Sequence, residues 1–235
     1  MQSLPLQALH YLNYHVSALL YTNPTRHGDD TDQSLKTLKT LECVLVFQLH
    51  VIRQRQDDAN IFDGDLIVPT YTACSLRYFM EECYEICRCS LDIDSGHLLD
   101  IDIAEDVPEQ LELEKTWFCR FCLNLVSNSM RALSSQLNGR SSKHGRIAVA
   151  ASVSDAEFLR IAVTDDGPGV KSEMVSHLFE KWHSQGRGGG TGLGLWGMRQ
   201  RVTAVGGACG YKPQQPGACF WFELPFRAVS PSLRL

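Results

Sequence analysis

The chain has 235 residues, which is enough for one large domain or two small ones with a buried core. Its hydrophobic fraction of 44% and charged fraction of 21% are ordinary for a soluble globular protein, and its net charge of −5 provides no basic surface for nucleic acid. The most apolar stretch, 43–52, is too short to cross a bilayer, and the N-terminus lacks the basic start of a signal peptide. These features argue against nucleic-acid binding, a membrane span and secretion, and they predict a cytoplasmic protein.

The N-terminal part of the chain has the pattern of two amphipathic helices. Apolar residues recur at helical spacing over 4–21 and again over 34–54, and a polar segment with proline, glycine and aspartates separates the two stretches. This pattern predicts a helical hairpin, and hairpins from two chains would bury their apolar stripes in a four-helix bundle. We therefore predict a homodimerisation hairpin with its linker over 1–70 and a second domain over 71–235.

The second half of the chain mixes strand and helix patterns. Apolar and charged residues alternate in two runs over 90–106, as in a hairpin of half-buried strands. The remaining pattern predicts helices at 71–88, 116–137 and 191–205, strands at 146–153, 158–165 and 218–226, and a lid-like region at 170–190. Because these elements do not repeat as strand–helix–strand units, the expected fold class is α+β, a two-layer sandwich.

The nine cysteines fall partly into two groups. Cys119 and Cys122 form a C-x-x-C, and Cys83, Cys87 and Cys89 form the second group. A zinc site would need a second pair at suitable spacing with histidines nearby, and neither group has them. Because Cys119 and Cys122 lie in an apolar helical run, we interpret them as small core residues.

Two aspartates and two glycines lie at the end of the predicted strand at 158–165 and directly after it. In the sequence DDGPG, Asp165 stands at the strand end, where its carboxylate could accept a hydrogen bond from the exocyclic amino group of a base. Gly167 and Gly169 would let the backbone approach the ring of that base closely, because glycine has no Cβ. The same residues are also typical of a simple tight turn, and the motif alone does not decide between the two interpretations.

A glycine-rich segment, GGGTGLGL at 188–195, directly precedes the helical sequence WGMRQRVTAV. Unpaired backbone N–H groups at a glycine-rich helix start bind anions, and the helix dipole adds to the attraction. The segment lacks the Gly-Lys-Ser/Thr ending of a Walker loop and does not follow a strand as a dinucleotide fingerprint does. A flexible linker is the alternative, but the adjoining helix favours phosphate binding.

Two asparagines lie one turn apart in the predicted helix at 116–137. Asn124 and Asn128 therefore project from one face, although asparagine is a mediocre helix former. An amide oxygen there could bind Mg²⁺, whose other ligands are water and phosphate oxygens, and Arg131 could reach a phosphate. A solvated polar stripe is the alternative interpretation of this helix face.

The three segments in this order resemble the asparagine box and the two glycine boxes of an ATPase fold. Histidine kinases share this fold with gyrase-type topoisomerases, mismatch-repair ATPases and heat-shock chaperones, and LFEKW at 178–182 is similar to the phenylalanine box of their ATP lid. The resemblance implies that Asn128 holds Mg²⁺ and that Asp165 recognises the adenine amino group of ATP. The other ATP-site residues that it implies are Asn124, Arg131, Gly167, Gly169, Lys181, Arg187, Gly190, Thr191, Gly192, Leu193 and Gly194.

The residue at position 124 distinguishes classes within this superfamily. Hydrolytic members usually carry a glutamate one turn before the metal-binding asparagine, where it acts as a general base. Asn124 cannot accept a proton, so the resemblance favours a histidine kinase, which transfers the γ-phosphoryl group of ATP to a histidine in a phosphorelay. A catalytically degenerate ATP-binding module and a plain ATPase are the alternatives.

A candidate phosphoacceptor histidine lies in the predicted hairpin. The sequence HYLNYHVSAL, which begins at His10, resembles the H-box pattern H-E-L-R-T-P-L-x-x-L in its first histidine and in its apolar positions. Tyr11, Asn13 and His15 replace the acidic residue, the arginine and the proline of that pattern. The resemblance implies phosphorylation of His10 and a response-regulator receiver domain as partner, whereas an exposed histidine without chemistry is the alternative.

Overall fold

The computed structural model describes residues 69–90, 98–136, 145–155, 157–181 and 192–229, together with Leu38 and Leu45. Leu38 and Leu45 have helical backbone. The predicted hairpin, including His10, otherwise lies outside the described residues, as do Arg187, Gly190 and Thr191. None of the helices in the described ranges has the length and apolar character that a membrane crossing requires.

Eight strands and four helices make up the described part of the chain. The strands are β1 (Tyr71–Ser75), β2 (Leu98–Ile103), β3 (Gln110–Glu114), β4 (Arg146–Asp155), β5 (Phe158–Asp165), β6 (Cys209–Pro213), β7 (Ala218–Pro225) and β8 (Arg227–Ala228). The helices are α1 (Leu76–Ser90), α2 (Lys115–Gln136), α3 (Ser172–Val175) and α4 (Gly194–Ala204). A five-stranded sheet has the order β2-β4-β5-β7-β6, and a three-stranded sheet has the order β1-β3-β8.

The main core lies between the five-stranded sheet and helices α1, α2 and α4. Alternate residues of β5 are buried on one face, as the strict period of a strand requires. On α2, Phe118 and Phe121 meet Phe222 of β7 edge to face, with ring centroids 6.0 and 5.3 Å apart. Such a buried aromatic side chain contributes about 1.5–3 kcal/mol. The predicted α+β class is confirmed, with helices on one face of the sheet.

Two sequence-based assignments are corrected by the strand pairing. Residues Tyr71–Ser75, predicted as the start of a helix, form strand β1, and the helix begins at Leu76. The reason is tertiary, because β1 pairs antiparallel with the five-residue strand β3, and this pairing is not visible in the local sequence pattern. Strand β2, predicted as half of a hairpin, pairs in parallel with β4. The first strand of that predicted hairpin lies mostly in 91–97, outside the described residues.

Four cysteines line the contact between α1 and α2. The Sγ atoms of Cys83 and Cys119 are 3.8 Å apart, and the Cys87 thiol donates to the carbonyl of Leu123 at 3.6 Å. Burial raises the pKa of the Cys87 thiol, which keeps it protonated. The interpretation of Cys119 and Cys122 as core residues is confirmed, since both side chains are buried.

Candidate nucleotide-binding site

A buried carboxylate closes strand β5 at the edge of the core. Asp165 is 4% exposed; its Oδ2 accepts a hydrogen bond from the Ser129 hydroxyl at 2.9 Å, and its Oδ1 accepts one from the Gly167 N–H at 3.0 Å. Burial raises the pKa of the Asp165 carboxyl, while the hydrogen bonds from Ser129, Gly167 and the backbone of Ala218 oppose that rise. Each oxygen of a carboxylate has two lone pairs, so acceptor capacity remains for a ligand donor.

The turn after Asp165 is packed too tightly for side chains. A Cβ on Gly167 would lie 2.8 Å from Asp165 Oδ1, and a Cβ on Gly217, in the β6–β7 turn, would lie 1.7 Å from the Asp165 carbonyl oxygen. Gly169 has a φ of +73° and Gly217 a φ of +104°, a region that favours glycine. The two turns therefore pack backbone to backbone and fix the end of β5.

The second aspartate of the motif faces outward and anchors the turn. Asp166 is exposed, and its Oδ1 accepts a hydrogen bond from the backbone N–H of Arg146 at 2.8 Å. The backbone N–H of Asp166 donates to the Arg146 carbonyl at 3.3 Å. These two bonds tie the turn to the first residue of β4, so that Asp165 is the aspartate directed into the protein.

The asparagine helix α2 lies beside this turn. Ser129, adjacent to Asn128, reaches Asp165 although the two residues are 36 positions apart in the sequence. Asn124 and Asn128 are half-buried, and Arg131 is exposed. Helix α2 therefore contacts the Asp165 carboxylate through Ser129, the residue after the predicted metal ligand Asn128.

The glycine-rich segment brings the start of α4 against the same helix. Gly192 has a φ of +66°, and a Cβ on Gly194 would lie only 2.3 Å from Asn124 Oδ1. Leu193 is buried and its carbonyl accepts the first bond of the helix from Gly197 at 2.8 Å. The Asn124 Nδ2 atom is buried and has no hydrogen-bond partner among the described residues. The start of α4 and the asparagine face of α2 thus form one surface.

Lys181, at the end of the described lid, also reaches α4. Its Nζ lies 5.8 Å from the ring centroid of Trp196 in the first turn of that helix. Phe179 of the LFEKW sequence packs against the core and holds this part of the chain in place. The predicted phosphate contacts of Lys181 and of Arg187 stay predictions. Arg187 lies outside the described residues.

The arrangement fits a nucleotide with a hard cation. The carboxylate of Asp165 provides an acceptor for an exocyclic amino group, and the start of the 11-residue helix α4 provides backbone donors for phosphate. Amide oxygens are ligands that Mg²⁺ accepts. Both asparagines are half-buried, but the Asn124 amide packs on Gly194. The residues therefore fit Mg²⁺ through Asn128.

Sequence reasoning missed three groups that shape the site. Ser129 donates to Asp165, Gly217 makes room for the Asp165 backbone, and the Ala218 N–H bonds the same carboxylate. The signal available for Gly217 was its Pro-Gly turn, which reports local conformation and not the distant contact. Ser129 carried no signal beyond its place next to Asn128.

Residues 114–228 match the family described as histidine kinase-, DNA gyrase B-, and HSP90-like ATPase. The sensory/regulatory protein RpfC of Xanthomonas campestris is 35% identical over 140 residues, which are 55% of this chain and 18% of RpfC. The sensor histidine kinase AruS of Pseudomonas aeruginosa is 40% identical over 81 residues, which are 32% of this chain and 8% of AruS. The chain therefore spans less than a fifth of either relative.

Solved structures share the fold at lower identity. Full-length ShkA, in complex with AMPPNP, has a TM-score of 0.60 and 21% identity, over 98% of this chain and 46% of ShkA. The mycobacterial sensor histidine kinase MprB has a TM-score of 0.53 and 21% identity, over 68% of this chain and 100% of the MprB structure. These likenesses show the fold.

Proposed function

Because the chain belongs, through residues 114–228, to the histidine kinase-, DNA gyrase B-, and HSP90-like ATPase family, we propose that it binds Mg²⁺-ATP and transfers the γ-phosphoryl group to a protein histidine in a phosphorelay. The observation that carries the proposal is the buried Asp165 carboxylate between two glycine turns. The similarity to the sensor histidine kinase AruS, and to the sensory/regulatory protein RpfC, supports the kinase branch of the family.

The adenine end of the site centres on Asp165. Its carboxylate accepts the hydrogen bond of the adenine amino group, and the bonds from Ser129 and Gly167 fix its orientation. Burial makes this acceptor selective, because a purine without the amino group leaves a buried carboxylate short of one donor. ATP is thereby preferred over nucleotides with an oxygen at the same ring position.

The phosphate end lies between α2 and α4. Backbone N–H groups at Gly194 and the residues after it bind the phosphates, and Asn128 supplies an oxygen ligand to Mg²⁺. Bound Mg²⁺ neutralises charge on the phosphates and fixes their orientation. Because phosphoryl transfer depends mainly on positioning and charge neutralisation, a site of this composition supports transfer to an acceptor histidine without a covalent role for the residues of the site itself.

Asn124 favours transfer over hydrolysis. Its amide cannot remove a proton from water. Its Oδ1 packs directly on Gly194, where a Cβ would lie only 2.3 Å from it. An imidazole nucleophile needs no such base, since its neutral nitrogen already has a lone pair. In the transfer step the bond from the γ-phosphorus to the bridging oxygen breaks, a bond to the imidazole nitrogen forms, and ADP leaves.

The acceptor in this proposal is His10 of the N-terminal hairpin, with a homodimer formed through the hairpins and a receiver domain as the next acceptor. The support for His10 is its similarity to the H-box. His10 and nearly all of the predicted hairpin lie outside the described residues.

Incubation with γ-labelled ATP and Mg²⁺ tests the proposal. We expect an acid-labile label on the wild type that is absent from His10→Gln, because a phosphoramidate hydrolyses in acid. An Asp165→Asn variant serves as the control for the nucleotide site and should also lose the label. A His15→Gln variant is the matched control for the hairpin and should keep it.

The other outcomes separate the alternative functions. ATP binding without any label in the wild type would contradict the kinase and indicate an ATP-binding module. Steady release of phosphate without a labelled protein would indicate a plain ATPase. Failure to bind ATP would contradict the entire proposal.

A further inference from the structure

The strand pair that carries Asp165 ends in a hydrogen bond to a side chain. Strands β4 and β5 pair antiparallel up to Ile147 and Asp165, so Arg146 and Asp166 are the next two residues of the ladder. In a regular antiparallel pair, two such residues exchange both of their backbone hydrogen bonds. The Asp166 N–H donates to the Arg146 carbonyl at 3.3 Å, but the Arg146 N–H donates to Asp166 Oδ1 at 2.8 Å. A side-chain oxygen therefore takes the place of the Asp166 main-chain carbonyl.

This side-chain bond lets the backbone leave the sheet directly after Asp165. Because Asp166 Oδ1 satisfies the Arg146 N–H, the end of the ladder stays closed while the main chain turns away. Short side chains with an acceptor oxygen, such as those of aspartate and asparagine, imitate a backbone carbonyl in turns of this kind. The turn that follows brings the Gly167 N–H back to Asp165 Oδ1 at 3.0 Å. The two aspartates thus act together, since one closes the ladder and the other accepts from the turn.

The guanidinium group of Arg146 binds a different carboxylate. Its Nε and Nη2 atoms both bond Asp100 Oδ2, on the edge strand β2. The two side chains are 65% and 47% exposed, and an exposed ion pair contributes little to stability. Asp100 and Asp166 therefore bind the same arginine through different atoms. The bond from Asp166 goes to the backbone of β4, and it is the one that reaches the turn after Asp165.

We propose that Asp166 is a positioning residue for adenine recognition, whose side-chain oxygen, and not its charge, fixes the turn that orients the Asp165 carboxylate. The inference rests on the proposed ATP site. Without this acceptor, the Arg146 N–H bonds either water or the main-chain carbonyl at position 166. Water releases the turn from β4, whereas the main-chain carbonyl draws the turn one residue further along the ladder. Both changes displace Gly167, whose N–H holds one oxygen of the Asp165 carboxylate.

The first test needs no nucleotide. The Asp166→Ala variant, which lacks the acceptor, is compared with Asp166→Asn, which keeps the acceptor oxygen and loses the charge. Asp100→Ala is the matched control, because it removes a carboxylate from the same arginine without removing a main-chain bond of the turn. Hydrogen exchange at the Gly167 amide reports the turn, and exchange at the Ile161 amide in the middle of β5 reports global stability.

We expect Asp166→Ala to speed exchange at Gly167 more than at Ile161, because the lost bond is exposed and its removal loosens the turn locally. Affinity for Mg²⁺-ATP should fall about 3- to 10-fold in this variant, which corresponds to the net contribution of one hydrogen bond. Affinity for the purine riboside triphosphate without the amino group should change little. Asp166→Asn and Asp100→Ala should resemble the wild type in exchange and in affinity for both nucleotides.

Equal acceleration at both amides in Asp166→Ala, or none at Gly167, would overturn the inference. An equal loss of ATP affinity in Asp166→Asn would also overturn it, since the charge and not the acceptor would then matter, and so would equal weakening of both nucleotides in Asp166→Ala. If Asp166→Ala does not fold, Asp166→Glu must show the local pattern, because its oxygens lie one methylene further out. Local loosening at Gly167 in a protein whose wild type binds no ATP would contradict the proposed function and leave the role of Asp166 in the turn standing.

Discussion

The hydroxyl of Ser129 is expected to control how well Asp165 recognises adenine. The Ser129→Ala variant removes the donor that lies 2.9 Å from Asp165 Oδ2. A hydrogen bond to a charged group contributes about 1.5–3 kcal/mol. Both residues are almost fully buried, so water does not easily replace the lost donor, but Gly167 and Ala218 still bond the carboxylate. We therefore expect ATP affinity to fall by about 1–2 kcal/mol, or about 5- to 30-fold.

The same variant should change the pH dependence of ATP binding. The Ser129 hydroxyl lowers the pKa of Asp165, which burial raises, so its removal raises that pKa further. In the proposed site the ionised carboxylate is the acceptor for the adenine amino group, and this form exists above the pKa and disappears as pH falls through it. ATP affinity should therefore decline at a higher pH in Ser129→Ala than in the wild type.

Calorimetric titration with two ligands separates this effect from a general weakening of the site. ATP is compared with the purine riboside triphosphate that lacks the amino group, whose affinity should change little. Ser127→Ala is the matched control, because Ser127 is equally buried on α2 and its hydroxyl donates only within the helix, to the Asn124 carbonyl at 3.1 Å. Equal weakening of both ligands, or an unchanged ATP affinity, would refute the reasoning.

Three further variants test neighbouring parts of the site. Asp165→Asn should abolish tight ATP binding yet keep the fold. Because the pKa of Asp165 is raised in the folded protein, its ionisation lowers the free energy of unfolding as pH rises from the ordinary pKa of an aspartate to the raised one. Denaturant titrations at several pH values should show that the free energy of unfolding falls less with pH in the variant. Gly194→Ala should destabilise the fold by about 1–3 kcal/mol through its clash with Asn124, and adding Asn124→Ala should restore thermal stability, which a double-mutant cycle measures. Asn128→Asp should impair Mg²⁺-ATP binding more than binding of metal-free nucleotide; equal effects in parallel titrations would exclude Asn128 as the metal ligand.

The elements that sequence patterns predicted well are those whose own residues carry the signal. Strand β5 alternates buried and half-buried residues along its length, and helix α2 has a long apolar period, so both were placed within a few residues. Strands β1 and β3 have five residues each and are stabilised by pairing with one another. Such short segments take their conformation from a partner elsewhere in the chain, which no local pattern reveals.

The site follows the same division between local and tertiary information. The motif residues Asp165, Asn128 and Gly194 stand out because their types are unusual for a strand end, a helix interior and a helix start. Ser129 and Gly217 act only through contacts with Asp165, and their own surroundings in the sequence are ordinary. A sequence thus reveals the groups proposed to contact the ligand more readily than the groups that hold them in place.

The two ends of the proposed site differ in whether their buried polar groups already have hydrogen-bond partners within the protein. At the base end, the Asp165 carboxylate has protein donors on both oxygens and a fixed turn around it, so its orientation does not depend on a ligand. At the phosphate end, the Asn124 Nδ2 is buried without an acceptor among the described residues, and Gly194 lies directly against it. An unpaired buried donor is unfavourable, and a small movement of α4 toward or away from α2 changes its surroundings first. The base end of the proposed site is therefore preformed in this fold, whereas the phosphate end is the part whose energy responds to how α4 is held.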